Sequence, residues 1–265
     1  MSKFWIPFLI LLSIIGFFFW VSYREYQVDV PVVSEVSREE KVEEQVVEER
    51  LAIEGESIPV QQEAVSDVKE VLPKRNPLEM NFVVQAPEAT WSDERFQNAC
   101  EEASLLMVGS FLQNKKITNP RQEMQEIMAF EDKKFGHSYD TSAVDTNTIL
   151  QEYYGITTSR VEELQSVKDL EELLGRGEIV ITPTDGRVLK NPYFTAPGPE
   201  THMLVVLGYD AKTKEFIVHD PGTKRGTLYR YNERVLFEAI ADYTSGTKHK
   251  ERKSIEKKVI AVPFE

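Results

Sequence analysis

QAPEATWSDERFQNACEEASLLMV, residues 85–108, holds the single cysteine of the chain at the point where a loop turns into a helix. From Cys100 onward, CEEASLLMVGSFLQ places Ala103, Leu106, Met107 and Phe111 at i, i+3, i+4 and i+8, the spacing of one helical face. Cys100 therefore opens a helix. Unpaired N–H groups and the dipole at a helix N-terminus favour negative charge, which lowers a thiol pKa. Glu101 and Glu102 suit a first turn and are expected to point away from the sulfur, because facing it they would repel a thiolate. A free cysteine also has a plain structural use as a small hydrophobe. Its surroundings decide between the two.

Downstream, residues 122–130, 145–154 and 167–174 read as helices. Asp145 is a candidate N-cap, Gly155 a candidate C′ residue, and Gly175 a stop. The pattern then changes. EIVITP (178–183), HMLVVLGY (202–209), EFIVH (215–219), TLYRY (227–231) and KVIAV (258–262) are rich in Val, Ile and Tyr and read as strands. NFVVQ (81–85) reads as a short strand or an extended lead-in. Helices followed by strands give an α+β class, with a helical half packed on an antiparallel sheet.

His202 opens an apolar strand after the Pro/Gly-rich loop NPYFTAPGPET, and Asp220 ends the next strand in HDPG. Two antiparallel strands joined by DAKTK bring their far ends together, so His202 and Asp220 can be neighbours. A carboxylate there would fix the imidazole tautomer and stabilise the imidazolium. Gln85 lies upstream of Cys100, and its amide could donate to an oxyanion beside the Cys100 N–H. Alone, each has a bland use: a structural histidine, a turn aspartate, a surface glutamine. Together, in the order Gln, Cys, His, Asp, they fit Cys–His chemistry. His219 should face the other side of its strand, and His137 and His249 are background. The loop 184–201, with Tyr193 and Phe194, is a candidate cleft wall, and Trp91 a candidate cover opposite; core or hinge packing would use the same three rings.

Upstream, FWIPFLILLSIIGFFFWV (4–21) is free of charge and nearly long enough for a ~30 Å hydrocarbon core. Trp5, Trp20 and Tyr23 lie at its ends as an aromatic belt would. A cleaved signal peptide would have a shorter apolar core and a small-residue cleavage site, so residues 1–24 read as an uncleaved transmembrane signal anchor. Lys3 before it supports an N-in, C-out orientation with an extracytoplasmic domain, while Arg24 just after it weakens that preference. Residues 25–80, containing REEKVEEQVVEER, read as an acidic flexible tether, and residues 81–265 as the folded domain. The 265 residues carry a formal charge of −13, which excludes a nucleic-acid-binding face. One cysteine allows neither an internal disulfide nor a Cys-based zinc site, and the four histidines lack ligand spacing, so no metal or other cofactor is expected.

The blocks 85–108, HMLVVLGYD (202–210) and HDPG (219–222) resemble the C39-like cysteine peptidase family, over about residues 81–265. The resemblance implies a papain-like cysteine peptidase fold, related to the peptidase domains of bacteriocin-exporting transporters, and a peptide or protein substrate. It places the nucleophile on Cys100, the base on His202, the orienting acid on Asp220 and the oxyanion donor on Gln85. Two departures stand out. Many members have Gly-Pro after the cysteine where this chain has Glu101-Glu102, and no ATP-binding domain is read here, so a role coupled to export is not implied. Two other readings stay open. One is a catalytically silent module that binds peptide or cell-wall material on a membrane tether. The other is an amidase or acyltransferase, because the same thioester serves all these reactions.

Overall fold

The computed structural model describes residues 75–246 and 256–264. The anchor read at 1–24, and the tether read at 25–80 apart from residues 75–80, lie outside the described residues. So does His249. No described helix is long and apolar enough to cross a membrane.

The described chain is α+β. After two 3-10 turns (Pro77–Glu79 and Pro87–Ala89) come α1 (Glu94–Gln97), α2 (Cys100–Leu112), α3 (Pro120–Phe135) and α4 (Ala143–Glu152). Then follow β1 (Arg160–Glu163), α5 (Val167–Gly175), β2 (Glu178–Thr184), α6 (Gly186–Leu189), β3 (His202–Asp210), β4 (Glu215–His219), β5 (Tyr229–Asn232), α7 (Glu233–Ala239) and β6 (Lys258–Pro263). The six strands form one antiparallel sheet in the order β1-β6-β2-β3-β4-β5.

Both faces of the sheet are covered, and the strands show it by period-two alternation. Ile179, Ile181, Met203, Val205, Ile260 and Val262 join the core under α2, α3 and α4. Val180, Leu204, Val206, Val218, Val259 and Ala261 join a second core with Leu170 and Leu173 of α5 and Leu236 and Ala239 of α7. Every residue of β2 is therefore buried, including its polar Glu178, Thr182 and Thr184. The second helical cover departs from the expectation of one helical half. Seven-residue α7 has too little length for a periodic signal, although Asn232 caps it by accepting from the Arg234 N–H at 3.1 Å.

Helix α2 is buried from Cys100 to Ser110, not along one stripe. At Gly109 a Cβ would lie 2.3 Å from the Tyr154 ring, so only glycine lets the two elements approach. Helix α3 runs from Asn119, whose side chain caps it, to Gly136 at φ 83°, longer at both ends than the 122–130 expected. Helix α4 starts two residues earlier than expected: Ser142 is its cap and Asp145 sits one turn inside. Edge strand β1 (RVEE) is too charged to read as a strand, which suits an edge that must resist pairing with other chains. Residues 81–85 are an extended lead-in rather than a strand, tied down by the Gln85 N–H to Pro221 O at 3.0 Å.

Two buried carboxyls, one on α2 and one on α3, meet between these helices. Glu102 and Glu131, at 1% and 0% exposure, face each other while no other described group satisfies their carboxyl oxygens, so the pair holds together only with a proton on one of them. Burial pushes both up, Glu131 to about 8. A carboxyl whose folded pKa exceeds its unfolded value stabilises the fold fully below the unfolded value and loses that contribution as pH rises through the folded one. Thermal midpoints should therefore fall between pH 4.5 and about 8. Glu131→Gln keeps an acceptor for the Glu102 proton and removes one of the two titrating groups, so its midpoint should fall less steeply. Parallel curves for the two proteins would contradict this.

Candidate functional site

The start of β3 and the end of β4 lie at the same end of the sheet, because the two strands are antiparallel neighbours. There, a cleft of about 770 Å³ opens between the layers, and Gln85, Cys100 and His202 all line it. Cys100 belongs to the core of one face and Phe194, packed beside His202, to the core of the other. The sheet end thus brings together groups drawn from both layers.

His202 Nε2 lies 2.9 Å from Asp220 Oδ1, with both side chains essentially buried. This pairing leaves Nδ1 as the ring nitrogen able to exchange a proton in the cleft. Three further donors saturate the Asp220 carboxylate: Tyr231 Oη at 2.6 Å, Asn191 Nδ2 at 3.0 Å and the Gly222 N–H at 3.0 Å. Burial pushes the Asp220 carboxyl up, but the charge and hydrogen bond of His202, with the Tyr231 and Gly222 bonds, hold it below its ordinary value. The Phe194 ring meets the imidazole edge-on, 5.2 Å between centroids. A Cβ on Gly222 would stand 2.9 Å from His202 Cε1 and 2.8 Å from Phe194, so the glycine of HDPG is needed for this close packing.

His219 faces away, as the alternation requires. Its Nδ1 accepts from the Leu228 N–H at 3.1 Å and its Nε2 donates to Met80 O at 2.9 Å. Both nitrogens are committed and burial pushes its pKa down, so it is a neutral structural histidine.

Gln85 Nε2 donates to Gln97 O at 2.7 Å and reaches Phe96 O only at 3.4 Å. One amide proton is thus committed and the other weakly held. Tyr193, Phe194 and Trp91 all line the cleft. Tyr193 is 44% exposed, with the Arg225 guanidinium 4.7 Å over its ring.

Two expectations about Cys100 are overturned. Glu101 does not point away: its Oε2 accepts from the thiol at 3.0 Å, while its Oε1 accepts from Tyr243 Oη at 2.6 Å. The thiol pKa is also not lowered. Burial pushes it well above its ordinary value and the Glu101 carboxylate, by charge and by hydrogen bond, pushes the same way, against the Met203 N–H. The helix dipole, worth at most about 2 kcal/mol, does not offset the desolvation of a thiolate in so buried a helix start. Glu102 does turn from the sulfur, into its pair with Glu131, but its charge still disfavours the thiolate.

Asn191, Tyr231 and Tyr243 were missed. Asn191 lies 29 residues from Asp220, and Tyr243 lies 142 from Glu101, so no local spacing marks either. Tyr231 carried one signal, since alternation in TLYRY turns it inward beside exposed Arg230.

Residues 77–249 match the model of a family described as Peptidase_C39 like. Among solved structures, a candidate C39-like peptidase from Bacillus anthracis is 16% identical, with 70% of this chain and 94% of that chain covered and a TM-score of 0.41. No curated protein matches the chain.

Proposed function

The chain belongs to the Peptidase_C39 like family, and on that premise we propose that it is a cysteine peptidase of papain-like fold. Its catalytic residues are Cys100, His202, Asp220 and Gln85. The observation that carries this reading is the buried His202–Asp220 pair, 2.9 Å apart, on the wall of the cleft that Cys100 also lines.

The proposed reaction proceeds as follows. His202 Nδ1 takes the Cys100 proton, and the thiolate attacks a peptide or isopeptide carbonyl, forming a C–S bond. The weakly held Gln85 N–H and the Cys100 N–H donate to the oxyanion. The C–N bond breaks, and His202 returns its proton to the leaving amine. Water, deprotonated by His202, then attacks the thioester, releasing the acid and restoring the thiol. The apolar run at 4–21 supports carriage on a membrane anchor with the domain outside the cytoplasm. A C-terminal tag on intact cells that external protease cannot reach would contradict that placement.

One observation favours a second reading. The resting thiol is neutral and bonded to Glu101, as a silent peptide-binding module would tolerate. Incubation of the full-length protein with a mixed peptide library separates the two. New peptide termini should appear with wild type and not with Cys100→Ser, and Gln85→Ala should slow their appearance by about 10²–10³. Identical libraries before and after incubation with wild type would favour the silent module.

A further inference from the structure

Glu101 is unexplained by the proposed chemistry. It is 2% exposed, yet it turns its carboxylate onto the sulfur on one side and onto Tyr243 on the other. Cys100, Glu101 and Tyr243 form one continuous hydrogen-bonded chain between the start of α2 and the segment after α7. Other acids also face it: Asp140, whose Oδ1 accepts from Thr201 Oγ1 at 2.7 Å at the cleft wall, Glu102 on the same helix and Glu131 on α3.

We propose that Glu101 is a positioning residue for the Cys100 thiol, holding its proton in the resting site and releasing the sulfur when the carboxylate itself takes up a proton. The inference rests on the reading of Cys100 as the nucleophile. With Glu101 ionised, a thiolate would stand 3.0 Å from a second anion in a buried site, so the proton stays on sulfur. With Glu101 protonated, its O–H can point at the sulfur. The S–H bond then breaks toward His202 Nδ1, leaving an S⁻ that accepts from the Glu101 acid, with charge conserved as S⁻ and imidazolium. Burial, followed by the charge of Asp140, pushes the Glu101 carboxyl up to about 6, against the bonds from Cys100 and Tyr243, so the proton is available in mildly acidic surroundings.

The carboxylate and its tyrosine donor make separate predictions. Glu101→Gln removes the charge that opposes the thiolate. Tyr243→Phe removes a donor that stabilises the carboxylate, so Glu101 takes up its proton, and releases the sulfur, at higher pH. The test is the rate of Cys100 alkylation by iodoacetamide, followed by mass spectrometry on the full-length protein from pH 5 to 10. At pH 7 Cys100 should react about tenfold faster or more in Glu101→Gln, and the pH at which acidification quickens the reaction should move up in Tyr243→Phe. An unchanged rate at pH 7 in Glu101→Gln, or an acid-side midpoint that stays put or moves down in Tyr243→Phe, would overturn the proposal. If Glu101→Gln fails to fold, the Tyr243→Phe result decides alone. Alkylation needs no substrate, so it is read independently of peptide turnover. Wild-type protein without Cys100-dependent turnover would remove the peptidase reading and leave the alkylation result standing.

Discussion

Cys100→Ala should abolish peptide turnover, with a loss on the order of 10⁶ in kcat where the nucleophile and its base act as a unit. The reason is chemical rather than structural. No other described residue is a thiol, and Thr184 Oγ1 donates to the His202 backbone carbonyl at 3.1 Å rather than to the ring, whose Nε2 is held by Asp220. The substitution is also gentle on the fold. Cys100 is 5% exposed at the first position of α2, and alanine removes one heavy atom, so the thermal midpoint should move by only a few degrees. It does remove the donor that Glu101 Oε2 accepts from, which leaves Tyr243 on the other oxygen. A midpoint near that of wild type together with absent turnover locates the loss in chemistry. Retained turnover would mean that another group makes the bond.

Removing the base and its orienting acid should cost nearly as much, but with different signatures. His202→Ala leaves Cys100 without a proton acceptor in the proposed reaction, and loss comparable to that of Cys100→Ala is expected. Asp220→Asn should lower turnover by about 10⁴, since an amide cannot hold the imidazole in the required tautomer. It should also destabilise the domain. The carboxylate accepts from His202, Tyr231, Asn191 and Gly222, and an amide NH₂ placed among those donors leaves at least one unsatisfied. The Asp220 carboxyl lies below its ordinary value, so its contribution to stability is present above the unfolded pKa and is lost as pH falls through the folded one. Wild type should therefore lose more stability on acidification below pH 4 than Asp220→Asn does. Melting curves across that range, recorded beside turnover rates, check both effects. Asp220→Asn with wild-type turnover would remove Asp220 from the mechanism.

The sequence carried the positions of these groups better than their electrostatics. His202 and Asp220 could be paired on paper because a short hairpin connection fixes which strand ends meet, and the structure puts them 2.9 Å apart. The same alternation sent His219 to the other face. Cys100 at a helix start followed from the spacing of Ala103, Leu106 and Met107. What that spacing could not give was the depth of the helix. An amphipathic stripe implies a solvated side to which Glu101 and Glu102 could turn, but α2 lies under α3 and α4 with both carboxyls inside. Their fate depends on Tyr243 and Glu131, which arrive from distant segments. Asn191 escaped for the same reason, while α6 and α7 are too short for periodicity to mark.

A thioester on Cys100 is the most direct evidence for the nucleophile. The full-length protein should be quenched in acid during turnover of a peptide that it cleaves, then digested and mapped by mass spectrometry. The fragment bearing Cys100 should carry the mass of the acyl half of that peptide, the adduct should be released by hydroxylamine, and it should be absent from Cys100→Ala. Turnover that continues in Cys100→Ala, or an acyl adduct found on any other residue, would contradict the assignment.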